Sequence, residues 1–235
     1  MRKTYRHADE WQREFEPGSP LAPIPKIRQG ASHFIAGGLW QSGFRLFHNG
    51  GLPQFERRRD DWICEILLDV NETETAAIPV RLRIHLCHRN IRTVREKYWT
   101  PASAAPILVA SSDIGALELP PSYFVWWCKG RTYEYAELLS HIQATAIPWF
   151  AEFEDPEQLE ANLMGAGLPL IGHGTAIELL LAECGRKAAR AYVEKFLAED
   201  QQFQIEVGRL AEQPRGKPLP EMPRAASAAF LYRLL

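Results

Sequence analysis

Apolar and polar residues alternate most strictly between residues 62 and 88. In WICEILLDV, Trp62, Cys64, Ile66, Leu68 and Val70 fall on one side, and Ile63, Glu65, Leu67 and Asp69 on the other. In IPVRLRIHLCH, Val80, Leu82, Ile84 and Leu86 alternate with Arg81, Arg83, His85 and Cys87. Successive side chains of a strand leave opposite faces. Both segments therefore predict a sheet with one face on a core and the other partly wet. Upstream, FRLFHNGG turns at Asn49, Gly50 and Gly51, a hairpin signal. APILVA and YFVWWC predict two further strands, and the short links between the early strands predict antiparallel pairing.

Helical spacing flanks this block. From Lys26 to Ser42, Ile27, Ala31, Phe34, Ile35, Leu39 and Trp40 fit one helical face, with Gly30, Gly37 and Gly38 weakening it and Gly43 as its stop. A short helix is predicted around Ile91 to Trp99. A long one over Tyr133 to Phe153 carries Pro148 as a kink or stop. Asp155-Pro156-Glu157-Gln158 is a helix start, with Asp as cap and Pro in the first turn. TAIELLLAEC and RKAARAYVEKFLAEDQQFQIEVGRLAEQ read as two more helices separated by Gly185. Before all of these, Tyr5, Ala8, Trp11 and Phe15 share a helical stripe, followed by a linker with prolines at 17, 20, 23 and 25. The expected organisation is an N-terminal arm (1–25), a main domain (26–213) and a proline-containing tail with a short apolar segment (214–235). The fold class is α+β: an antiparallel sheet packed with helices, followed by a helical C-terminal part.

The chain of 235 residues has 27 Lys and Arg against 29 Asp and Glu. This near-neutrality argues against a nucleic-acid coat protein. The distribution is uneven: the net charge is +4 over residues 1–100, −8 over 101–200 and +2 over 201–235. An acidic block suits a basic protein partner, because opposed potentials speed encounter and fix orientation. It is densest at Glu152, Glu154, Asp155, Glu157 and Glu160, where Asp155, Glu157 and Glu160 also serve a helix start. Trp126 and Trp127 point to opposite faces of their strand, so at least one ring is a candidate anchor at the sheet surface.

Chemical motifs are sparse. Cys64, Cys87, Cys128 and Cys184 have no paired spacing and read as buried small hydrophobes of a reducing compartment. The start of the chain is charged throughout, and no run of about 18 apolar residues occurs, so the expectation is a cytoplasmic protein without membrane contact. His85-x-Cys87-His88 is the one cluster with metal-ligand chemistry, but a strand sends His88 to the face opposite His85 and Cys87. His141 and His173 lack sequence neighbours that would make either a base or a ligand. Arg57, Arg58, Arg59, Arg81, Arg83, Arg89, Arg92 and Arg95 would form an arginine strip if they shared a sheet face, the footprint of a nucleic-acid binder. Neither a phosphate-binding glycine loop nor a nucleophile elbow is found. No metal, cofactor or catalytic residue is expected.

The order of landmarks carries a resemblance. A helix closing at Gly43-Phe44, a charged hairpin, a strand opening at Trp62, a helix ending in Pro148-Trp149-Phe150, then Pro156-Glu157-Gln158-Leu159 and Ala176-Ile177-Glu178-Leu179-Leu180-Leu181 together resemble a bacterial family catalogued as a domain of unknown function, over residues 28–200. Members of this type resemble small cytoplasmic accessory or immunity proteins encoded near toxins or secretion genes. The resemblance implies a non-catalytic protein-binding module that neutralises a bacterial toxin by binding it. Glu152, Glu154, Glu157, Trp126 and Trp127 are the expected contacts, and a basic toxin or secretion-associated protein the expected partner. Two alternatives stand beside it. One is a scaffold subunit tethered through its terminal arms, using Tyr5, Trp11 and Phe15 at one end and Phe230, Leu231, Leu234 and Leu235 at the other. The other is an enzyme or nucleic-acid binder using His85, His88 and the arginine strip. The oligomeric state is left open.

Overall fold

The structure is a computed structural model that describes residues 24–49, 52–70, 78–97, 107–118, 120–121, 126–212 and 224–235. The protein is α+β, with an antiparallel sheet and a helical C-terminal part. In chain order the elements begin with α1 (Ile24–Leu39), a 3-10 turn (Trp40–Ser42), β1 (Arg45–Asn49), β2 (Leu52–Arg59), β3 (Trp62–Val70), β4 (Ile78–His88) and α2 (Asn90–Glu96). β5 (Ile107–Asp113), a 3-10 turn (Ile114–Leu117), β6 (Trp126–Cys128) and α3 (Thr132–His141) come next. A π-helical turn (Ile142–Ala146) leads into α4 (Ile147–Ala151). The remainder is α5 (Pro156–Met164), α6 (His173–Leu179), a second π-helical turn (Leu180–Cys184), α7 (Arg186–Phe196), α8 (Gln201–Ala211) and α9 (Ala225–Leu231). The predicted helix around Tyr5 to Phe15 lies outside the described residues.

The sheet runs β1-β2-β3-β4-β5, with β6 pairing β4 antiparallel. β1 and β2 pair antiparallel from Arg45 opposite Glu56 to Asn49 opposite Leu52, the hairpin expected from Asn49-Gly50-Gly51. Asp60 takes a positive φ of 52° in the two-residue turn to β3, a conformation Asp tolerates better than most residues. The period of two holds: Trp62, Cys64, Ile66, Leu68 and Val70 are buried, as are Val80, Leu82, Ile84 and Leu86. The other face is mixed, with Ile63 buried and Leu67 half-buried beside polar groups. There Gln54 Nε2 donates to Glu65 Oε1 at 2.7 Å, and Glu65 Oε2 lies 3.5 Å from His85 Nδ1.

The described residues form two compact units. The first comprises those within Met1–Arg58, Cys64–His85 and Ser111–Phe150, and the second those within Arg59–Ile63, Leu86–Ala110 and Ala151–Leu235. In the first, α1 packs on α3 and β1, burying Ile27, Ala31, Ile35 and Leu39 with Phe44, Phe55, Tyr135, Leu138 and Phe150. The glycines of α1 have a packing use. A Cβ on Gly38 would lie 2.1 Å from Leu139 Cδ2, and one on Gly30 would lie 3.3 Å from the Tyr135 ring, so bare backbone lets the helices approach. Tyr135 Oη donates to the Ile27 carbonyl at 3.3 Å across the same contact.

In the second unit α6 packs against α7 and α9, and α9 against α8. Trp62 belongs to the apolar face as expected, its ring centroid 5.4 Å from that of Phe153 and 4.2 Å from that of His88.

Three element boundaries differ from expectation. α1 begins at Ile24, so Pro25 sits in a first helical turn, where its missing N–H costs nothing, rather than in a linker. The helix predicted over Tyr133 to Phe153 continues through Pro148 because the turn before it widens to π geometry. That widening relieves the proline ring and the carbonyl it leaves without a donor. The stretch read as one helix after Gly185 is two, α7 and α8. Asp200 leaves helical geometry and caps α8 by accepting the Phe203 N–H at 3.0 Å.

Candidate functional site

The residues singled out from sequence divide between the two units. Glu154 is nearly buried, its side chain 7% exposed, with Oε2 accepting from Arg59 Nη1 at 2.7 Å. Asp155 Oδ1 accepts the N–H groups of Glu157 at 2.9 Å and Gln158 at 3.3 Å, capping α5 as predicted. Glu152 is half-buried, and burial raises its carboxyl above the ordinary range. Of the acidic run, Glu157 and Glu160 stand exposed on α5. These groups belong to the second unit. Trp126 and Trp127 belong to the first, in β6, where their backbones pair with Val80 and Pro79. Trp126 is half-buried with its ring 5.0 Å from that of His141, and the Trp127 side chain lies outside the described residues.

The alternatives fare differently. Among the described residues no three His, Cys, Asp or Glu side chains are grouped to hold a metal ion. His85 stays on the mixed face, whereas His88 is fully buried, accepting the Ile91 N–H on Nδ1 at 3.2 Å with Nε2 2.9 Å from Glu183 Oε1. The arginine strip is not assembled. Arg81 and Arg83 are exposed on the mixed sheet face, Arg92 pairs with Glu96 at 2.7 Å, and Arg95 is buried against Glu178. Of the C-terminal arm, Leu234 is buried and Leu235 exposed. Burial lifts the Cys184 thiol to about 11 and the Cys128 thiol to about 12, with neighbouring glutamates adding to both, so neither is a ready nucleophile.

One arrangement of exposed groups was not anticipated. α1 ends at Leu39, and the 3-10 turn that follows rotates Trp40 off the apolar stripe. Trp40 is 60% exposed, where the helical pattern had placed it in the core. Gly43 closes the turn at φ 84°, its N–H donating to the Trp40 carbonyl at 3.0 Å, while Phe44 N–H donates to Leu39 at 3.3 Å. Phe44 then points inward, its ring centroid 6.1 Å from that of Phe150.

Arg45 turns back over this turn. Its guanidinium lies 3.6 Å from the Trp40 ring centroid and donates from Nη1 to the Phe44 carbonyl at 2.9 Å. Arg57 braces the other side, donating to the Ser42 carbonyl at 3.3 Å and lying 4.9 Å over the Phe44 ring. Two residues along β1, on the same side of the strand as Arg45, Phe47 is 49% exposed. An exposed tryptophan under a held arginine, beside an exposed phenylalanine on the last strand of a sheet, therefore forms one surface of the first unit. The glycine stop at Gly43 marks the end of the helix in sequence, but only the 3-10 turn before it removes Trp40 from the stripe.

No family model, curated protein or solved structure matches this chain. No helix among the described residues is long and apolar enough to cross a membrane.

Proposed function

We propose that the chain is a non-catalytic protein-binding module, and that its binding surface is built on Trp40, Arg45 and Phe47 rather than on the acidic run. The observation that carries the reading is the stacked pair: a tryptophan 60% exposed, with a guanidinium held 3.6 Å above its ring. Trp and Arg are the residue types most enriched where interfaces concentrate their energy. A pair already stacked gives up little side-chain freedom on binding, so more of the contact energy appears as affinity. The finer form of the proposal is an immunity-type role, neutralising a toxin by occupying it, and it is supported by the resemblance of the sequence landmarks.

The test is capture from the native host with the full chain, followed by interferometry on the captured partner. Trp40→Ala should raise Kd by about thirtyfold, a hot-spot effect, whereas Glu157→Lys should change it little. A set of captured proteins that fails to distinguish Trp40→Ala from the parent would refute the module. For the immunity form, co-expression should restore growth to cells making the partner, and continued growth arrest counts against it.

A further inference from the structure

Resting on that reading, we propose that the partner contributes an extended, acidic segment that lies along β1 and adds a strand to the sheet. β1 is the terminal strand, paired with β2 alone among the described residues. Such an edge carries a row of outward N–H and C=O groups that an incoming strand can pair. Pro53 has no N–H to exchange with His48, so the flanking pairs Asn49–Leu52 and Phe47–Gln54 are the hydrogen-bonded ones. By alternation, Leu46 and His48 then direct their backbone groups to the open side, while Arg45 and Phe47 direct theirs to β2.

Charge decides the kind of segment. β1 itself (Arg45–Asn49) carries Arg45 and His48 and neither Asp nor Glu. The carboxylate opposite Arg45 in register, Glu56, is already paired with Arg58. A basic strand would set like charge beside Arg45, whereas an acidic one places carboxylates near Arg45 and His48. Side chains of the added strand on the mixed face would meet Phe47, and those pairs would add apolar contact. This reverses the expectation of a basic partner drawn from the acidic helical region.

The probe is an acetylated peptide of about twelve residues repeating Glu-Thr-Glu-Val, compared with its Lys-Thr-Lys-Val counterpart and with an oligouridine of similar length, on the full chain by amide exchange and anisotropy. The expected result is protection of the Leu46 and His48 amides by the acidic peptide, with at least about tenfold tighter binding than the basic one. Arg45→Glu should abolish that preference. His48→Pro should block binding while leaving the β1–β2 ladder, checked by unchanged circular dichroism, and His48→Ala should retain it. Equal binding of the two peptides, protection elsewhere than β1, no protection, or stronger binding of the oligouridine each overturns the proposal. If a captured partner still discriminates Trp40→Ala in any of those cases, the binding module stands and the acidic strand alone is withdrawn.

Discussion

Glu178 accepts both arms of one guanidinium, Arg95 Nε at 2.8 Å on Oε1 and Nη2 at 2.7 Å on Oε2, with Arg95 5% and Glu178 1% exposed. Tyr232, wholly buried just beyond α9, donates its hydroxyl to the same Oε1 at 2.5 Å. Burial first, and then the Glu178 charge, hold the Tyr232 phenol far above its usual range, so it remains a donor. Three segments distant in sequence, α2, α6 and the end of α9, thus meet on one carboxylate. A buried pair with this bidentate geometry gains little over an apolar replacement, yet losing one partner strands a charge.

Arg95→Met should therefore destabilise by about 3–5 kcal/mol in urea unfolding, and Tyr232→Phe by about 1.5–3 kcal/mol. The double variant Arg95→Met with Glu178→Met should be more stable than Arg95→Met alone. A double variant as unstable as the sum of its parts would mean that the three groups do not act together.

The contact of α1 with α3 makes a second prediction. An alanine Cβ at Gly38 would stand 2.1 Å from Leu139 Cδ2, so the gain of about 1 kcal/mol in helix propensity is offset by overpacking of about 1–3 kcal/mol. Gly38→Ala should lower thermal stability in the parent and raise it in a Leu139→Ala background. Additive behaviour in the cycle would show that Leu139 simply rotates away.

Members of the acidic run should separate by burial. Glu154→Lys breaks the contact with Arg59 at a side chain 7% exposed and should cost about 1.5–3 kcal/mol. Asp155→Ala removes the α5 cap for about 1 kcal/mol, and Glu157→Lys, being exposed, should stay within about 0.5 kcal/mol. Urea midpoints of the three variants would check the order.

Acid sensitivity follows from two histidines. Burial, aided by His48, holds His33 below its ordinary value, and burial does the same to His141 against the opposing pull of Glu118. The unfolded chain then binds protons first. The stabilisation from both groups is complete above about pH 6.5 and is lost as pH falls through their folded values. Glu152, raised by burial, has the opposite sign: its contribution is present below the unfolded value of 4.5 and lost as pH rises through the folded one. His33→Gln should retain more of its neutral-pH stability at about pH 5.5 than the parent does, measured by urea unfolding at both pH values.

Much of the fold was legible because its signals are local. The alternation of β3 and β4, the Asn49-Gly50-Gly51 turn and the Asp155 cap each depend on a few neighbouring residues, and each is found where the pattern placed it. Pro148 was read as a kink or stop, and the structure supplies a π turn before it, a choice that local pattern leaves open. Asp200 carried a cap signal within a run whose helical spacing masked it.

The sites were less legible, because exposure is a property of what packs nearby. Trp40 fits the apolar stripe of α1 by spacing, and one 3-10 turn was enough to place it in solvent under Arg45. Glu154 and Glu157 are equivalent as sequence, yet one is nearly buried against Arg59 and the other is exposed. Arg95, a member of the candidate arginine strip by sequence, is the cation of a buried clamp.

Sequence by itself determined the periods of strand and helix, the turn and cap chemistry and the charge segregation that gives residues 101–200 a net −8. All of these follow from short-range geometry or from counting. Only the tertiary structure decided which charges are spent inside the protein and which aromatic is left outside. Those outcomes depend on contacts such as Arg95 with Glu178, separated by 83 positions, which no local pattern encodes.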